Sequence, residues 1–165
     1  MGLPDQWDTC SGMVVLADVP IASAHWGEII AIGLRYEVVL LDAITRIRTS
    51  VLCGHRGLIL SLAFSQDGTL LMSGSVDMTV GVWDVQTSGV IRTFYHYPFA
   101  NFAPSISPDG TTVALGTNDG RVRLWDVRTG KCNSIKMDDG KVKIIEFSPI
   151  NSRHFISLSG GIMRQ

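Results

Sequence analysis

The sequence predicts an all-β chain, an incomplete β-propeller built as an open arc of about four blades, each a four-stranded antiparallel sheet. Three observations carry this. Two stretches repeat at one fixed offset, the distance from Trp83 to Trp125, without a gap. Each repeat holds four short apolar runs divided by turn residues, and no segment shows helical periodicity. At about 42 residues per unit, the 165 residues hold about 3.9 units, whereas a closed seven-bladed ring needs roughly 290.

The offset is read from residues 61–89 set above 103–130. Ser65, Asp67, Gly68, Gly74, Asp77, Val80, Trp83, Asp84, Val85 and Thr87 recur as Ser107, Asp109, Gly110, Gly116, Asp119, Val122, Trp125, Asp126, Val127 and Thr129. Leu41-Asp42 lies the same distance before Trp83-Asp84, so EVVLLDAITRIRT is a worn copy of TVGVWDVQTSGVIRT. Further back, Trp7 to Gly12 resembles the end of a unit. Forwards, Phe147-Ser148-Pro149 answers Ile106-Ser107-Pro108. The units therefore span approximately 13–52 (degenerate), 53–94, 95–136 and 137–165.

Within each unit the runs LILSLAFS, TLLMSGS, TVGVWDV and VIRTFYH are strand-length and bounded by S-Q-D-G, S-V-D-M and Q-T-S-G. Asp-Gly and Ser/Thr-Gly pairs supply the positive-φ positions that tight hairpins require. Pro104 falls in a predicted inner strand, which tolerates a missing N–H because one of its edges faces the channel. The last unit stops at SLSGGIMRQ, where the register calls for Trp-Asp next. That ending inside a third strand reads as a truncated product, a split gene or a partial gene model. Two open blade faces would then favour self-association, including two arcs completing one ring.

Composition excludes several classes. A net charge of −1 and only 18% charged residues give no electrostatic reason to expect nucleic acid or an acidic membrane surface. No apolar stretch is long enough for a membrane-spanning helix, and the N-terminus lacks a signal-peptide pattern. Cys10, Cys53 and Cys132 form no C-x-x-C pair and suit buried thiols in a reducing compartment. The expected location is cytoplasmic, with the nucleus not excluded. Phosphate-binding glycine loops and G-x-S-x-G are absent. The four histidines have no Cys, Asp or Glu at ligand spacing, so neither a metal nor another cofactor is expected. Asp138-Asp139 is read as a solvated turn.

With Gly54-His55, Ser65…Asp67-Gly68, Ser73-Gly74-Ser75, Asp77, Trp83-Asp84, Ser107-Pro108-Asp109-Gly110, Asp119 and Trp125-Asp126 in place, the chain resembles the WD-repeat family of propellers. Its repeats look most like the propeller segments of fungal NACHT-type (STAND) signalling NTPases. The resemblance implies a buried hydrogen-bonded tetrad of His55, Ser73, Asp77 and Trp83. In the next unit Asp119 and Trp125 remain, but Leu115 replaces the serine and Tyr95-His96 the Gly-His, so the tetrad there is partial. In the first unit Arg35 and Leu41 stand for Asp77 and Trp83, leaving none.

The function implied is a non-catalytic protein-interaction scaffold, part of a larger signalling or regulatory protein. The alternatives are a fragment with no function of its own, or a propeller hydrolase in which Ser73, His55 and Asp77 act chemically. Two features offer partner contacts. The aromatic segment 94–102 contains Tyr95, Tyr97 and Phe99, with Phe94 and Phe102 expected between blades. Half of all Lys and Arg fall in 121–143, and strand alternation places Arg121 and Arg123 on one face.

Overall fold

The computed structural model describes residues 9–10, 13–14, 22–95, 104–137, 140–159 and 162–164. Every regular element among them is a strand. A short antiparallel pair, β1 (Thr9–Cys10) and β2 (Met13–Val14), precedes four sheets. The first comprises β3 (Ala22–Trp26), β4 (Ile29–Gly33), β5 (Glu37–Asp42) and β6 (Arg48–Cys53). The second comprises β7 (Ile59–Phe64), β8 (Leu70–Ser75), β9 (Thr79–Asp84) and β10 (Val90–Tyr95). The third holds β11 (Ser105–Ile106), β12 (Thr112–Gly116), β13 (Arg121–Asp126) and β14 (Cys132–Lys136), and the fourth β15 (Val142–Ser148), β16 (Asn151–Ser159) and β17 (Ile162–Arg164). Each is an antiparallel meander in chain order. The innermost strands lie side by side in series, β3 against β7, β7 against β11 and β11 against β15. This is an open arc of propeller blades.

The apolar cores lie between sheets. Ala31, Val38, Leu40 and Leu52 of the first sheet bury against Ile59, Leu71 and Trp83 of the second. Met72, Val80, Val82 and Phe94 of the second meet Val113, Leu115 and Trp125 of the third. Ala114 and Val122 meet Val142, Ile145 and Phe147 of the fourth. Each fully buried large aliphatic side chain contributes about 1.5–3 kcal/mol. The middle strands β5, β8 and β9 carry near-continuous buried runs because both of their faces are covered.

At two of the interfaces a glycine sets how closely the sheets approach. A Cβ at Gly33 would lie 2.8 Å from the Ile59 side chain, and one at Gly116 2.8 Å from Val142. At the corresponding Gly74 the tight neighbour is Ser61 Oγ of the same sheet, 2.6 Å from such a Cβ, while Pro104 lies at an ordinary 3.4 Å. These pairings also locate a slip in the repeat. Gly33 pairs with Val38, as Gly74 pairs with Val80 and Gly116 with Val122, so the β4–β5 connection is one residue shorter than its counterparts.

The chain departs from the sequence reading in three places. Strand β11 has only two residues and starts directly after Pro104, which cannot donate to a ladder. Strand β16 extends to nine residues. Cys53 and Cys132 are exposed, not buried: each sits at the end of an outer strand, where alternate residues face solvent.

Candidate functional site

The polar centre of the second sheet is built by two strands and two connections. His55 lies in the β6–β7 connection, Ser73 in β8 and Trp83 in β9, with Asp77 in the β8–β9 turn. The Asp77 carboxylate only accepts, so His55 Nδ1 carries its hydrogen toward Oδ2 at 2.9 Å. Nε2 of the neutral ring then accepts the Ser73 hydroxyl at 2.6 Å, and Ser73 Oγ in turn accepts the Trp83 indole N–H at 2.7 Å. The structure thus joins all four residues in one directed chain. Thr79, absent from the sequence reading, donates its hydroxyl to Asp77 Oδ1 at 2.5 Å and lies 3.0 Å from His55 Nδ1. The Arg56 N–H adds a third bond, at 2.7 Å. Burial pushes the Asp77 carboxyl up, but Thr79, the Arg56 N–H and His55 outweigh it and hold it below the ordinary 3.8.

A serine, histidine and aspartate in hydrogen-bonded series is also the pattern of an activated nucleophile. Here Ser73 is fully buried and its oxygen already holds the indole N–H. Among the described residues, that burial leaves Oγ no solvent-exposed surface for a substrate carbonyl to approach.

The third sheet does not repeat this arrangement. Asp119 turns to the Thr117 hydroxyl and lies 3.8 Å from the Arg121 guanidinium, while Trp125 packs on Phe94 with ring centroids 5.6 Å apart. Two substitutions account for it. Leu115 supplies no hydroxyl, and Arg123 stands where Gly81 does. A Cβ at Gly81 would lie 2.8 Å from Trp83 Nε1, so a side chain there collides with an indole in the tetrad position. In the first sheet Leu41 replaces the tryptophan and is buried.

The hairpin turns repeat more faithfully than the tetrads. Asp42, Asp84 and Asp126 each accept through Oδ1 the N–H of a threonine three residues on, at 2.6–2.7 Å. Ser65-Asp67-Thr69 and Ser107-Asp109-Thr111 close the β7–β8 and β11–β12 turns in the same way as each other. In Asp109 the Ser107 hydroxyl lowers the carboxyl most, partial burial opposes it, and the Thr111 hydroxyl and N–H bring it to about 2.

Outer strands reach across to the next sheet. Ser50 of β6 meets Ser88 in the β9–β10 turn. Arg92, which takes the place of Ser50 in the following repeat, donates to the Val127 and Arg128 carbonyls at 2.7 Å each. It fits because Gly130, the counterpart of Ser88, leaves room beneath its guanidinium.

Trp26 is the surface feature that the repeat did not signal. Its Nε1–H donates to the Gln66 carbonyl at 2.8 Å. A Cβ at Gly68 would overlap Cδ2, Cε3 and Cε2 together, so the indole lies flat on that glycine, whose φ is +70°. Beside it a groove of 680 Å³ opens between the first and second sheets. The available signal was a tryptophan with no counterpart in the next repeat, beside a hairpin lacking the D-G turn.

Of the predicted partner contacts, Tyr95 is 81% exposed at the end of β10. Arg121 and Arg123 are half-buried on β13, two residues apart. Tyr97 and Phe99 lie outside the described residues, as do His96, Phe102, Asp138 and Asp139.

Four-stranded antiparallel blades in series, with one complete His-Ser-Asp-Trp tetrad among the described residues, make an incomplete propeller that carries WD repeats. The WD domain, G-beta repeat family matches residues 46–84 and 99–126, and these two segments are WD repeats. The first begins in the turn before β6, so a sequence repeat straddles two sheets. WD repeat-containing protein 18 of Danio rerio is 54% identical over 43 residues, covering 26% of this chain and 10% of that protein. F-box/WD repeat-containing protein 10 of Mus musculus is 34% identical over 70 residues, 42% of this chain and 7% of that protein. Retinoblastoma-binding protein 5 homolog of Drosophila melanogaster is 30% identical over 96 residues, 58% of this chain and 19% of that one. The chain thus spans a fifth or less of these curated relatives. Among solved structures, the computationally designed Ika8 protein matches with a TM-score of 0.73 at 22% identity, over 87% of this chain and 44% of that chain. That likeness is one of fold.

Proposed function

We propose that this chain is a non-catalytic protein-interaction scaffold, the propeller segment of a larger cytoplasmic signalling protein. One observation carries the reading: successive turns are locked by the same Asp–Thr bonds while the residues around them stay exposed. Rigid turns on a rigid sheet stack present a surface that binds without first being ordered, which lowers the cost of association. WD-repeat proteins generally mediate protein–protein interactions. The resemblance of the repeats to those of fungal NACHT-type proteins supports a sensing or autoinhibitory role beside an NTPase module. The hydroxyl that a hydrolase would use, that of Ser73, is instead buried inside the second blade.

The test is site-specific photo-crosslinking in cells, with the reactive group placed at Glu28, Gln86, Tyr95 or Arg121. A discrete protein adduct from at least one position supports the scaffold. Ester or amide hydrolysis that disappears in Ser73→Ala, with no adduct at any position, refutes it.

A further inference from the structure

The groove between the first and second sheets combines four carboxylates, an apolar floor and a fixed indole. We propose that it receives an arginine side chain from an extended segment of a partner protein, the aliphatic stem on the floor and the guanidinium between Trp26 and the carboxylates. This rests on the scaffold reading and names the chemistry of the partner.

Charge is the first ground. Consecutive turns deliver Glu28, Asp42, Asp67 and Asp84 to the groove, and among the described residues no Lys, Arg or His lines it. Asp42, Asp67 and Asp84 spend Oδ1 on their own turns, and those bonds leave the second oxygen of each carboxylate for a guest. The same bonds keep them anionic: Thr45 lowers Asp42 most, Ser65 lowers Asp67 and Thr87 lowers Asp84. A cation is therefore the complementary guest, and a nucleic-acid backbone is repelled.

Shape and stacking separate arginine from other cations. Ile29, Leu41 and Val85 give the groove an apolar floor, against which a hydrocarbon stem buries favourably. Trp26 lies flat on Gly68 and remains 40% exposed, so one indole face is already covered and the ring is held by its bond to Gln66. A planar guanidinium stacks on such a ring while its N–H fork meets carboxylates; a lysine ammonium cannot do both. A divalent ion needs several oxygens converging on one point. Among the described residues no three acidic, His or Cys side chains do so. The volume of 680 Å³ exceeds one side chain and admits flanking residues of an extended peptide.

The experiment uses the full chain and a fluorescein-labelled peptide, Gly-Ser-Arg-Ser-Gly, read by anisotropy at low and moderate salt. Versions with citrulline or lysine in place of arginine are run beside it. Citrulline keeps the shape and loses the charge. It is expected to weaken binding at least about tenfold, with lysine in between. Glu28→Lys, on an exposed residue with no side-chain role in a turn, is expected to weaken the arginine peptide about fivefold or more, its thermal midpoint unchanged. Trp26→Leu retains apolar bulk and is expected to abolish the preference for arginine over lysine. Equal affinity for arginine and citrulline, or no response to Glu28→Lys, overturns the proposal. Equal affinity for arginine and lysine in the parent chain overturns the arginine assignment. If crosslinking captures a protein at Tyr95 or Arg121 while the groove ignores the peptide, the groove fails and the scaffold reading stands.

Discussion

Removal of one oxygen atom from the second blade is the most discriminating perturbation. Ser73→Ala deletes a hydroxyl that lies 2.6 Å from His55 Nε2 and 2.7 Å from Trp83 Nε1. Both partners are buried and, in that variant, lose the oxygen that joins them. Leaving a buried donor or acceptor unpaired costs about 1–3 kcal/mol, so the two together give about 2–6 kcal/mol. With a urea dependence of about 2 kcal/mol per molar, the midpoint should fall by roughly 1–3 M. Trp83→Phe provides the internal check. It removes the indole donor, so Ser73→Ala made in that background no longer orphans it. The second substitution should then cost at least about 1 kcal/mol less than it does alone. Urea unfolding followed by far-ultraviolet circular dichroism measures all four corners of the cycle. A shift in Ser73→Ala of less than about 0.25 M, or strictly additive effects, would refute the reasoning and imply that apolar packing alone holds this blade.

Gly68→Ala should destabilise more than Gly110→Ala in the same unfolding assay. Both glycines have φ near +70°, which costs about 1–2 kcal/mol for any other residue. At Gly68 the new methyl strikes the rigid Trp26 ring, whereas at Gly110 it meets only the flexible end of Leu70, 2.9 Å away. Arg92→Met should cost about 1–2 kcal/mol by freeing the Val127 and Arg128 carbonyls, with hydrogen exchange rising in the β13–β14 turn. The acid limb of stability should carry the signature of Asp109. Its folded carboxyl sits at about 2, below the ordinary 3.8. Its contribution is therefore complete above the unfolded value and is lost as pH falls through about 2. Thermal midpoints of Asp109→Asn should decline less steeply between pH 4 and 2 than those of the parent chain. A parallel decline would contradict this.

Much of the fold could be read from the sequence because the repeat records local chemistry. Asp42, Asp84 and Asp126 hold the same position in successive repeats and make the same turn, since an aspartate capping a threonine N–H depends only on residues three apart. The linkage of His55 to Ser73 and Asp77 was inferable only through family likeness, because those side chains meet across 18–22 residues. What escaped were contacts between sheets. Nothing in the order of residues indicates that Trp26 covers Gly68, a whole repeat later, or that Arg92 reaches the Val127 and Arg128 carbonyls. Retention of Asp119 and Trp125 suggested half a tetrad, yet Arg123 in place of Gly81 removes the space it requires. The exposed cysteines were misjudged for a related reason: composition records how often a thiol is buried, not whether an outer strand turns it to solvent.

Because the apolar clusters lie between blades, a tryptophan belongs energetically to two sheets. Trp83 projects into the cluster shared with the first sheet, and Trp125 into the one shared with the second. Damage at Trp83 should therefore travel toward the N-terminus: its loss loosens β4 and β5 before it reaches β13. Stability in such a stack resembles a chain of nearest-neighbour couplings. The second sheet, which takes part in two of these couplings and supplies the complete tetrad, is where the arc would divide last.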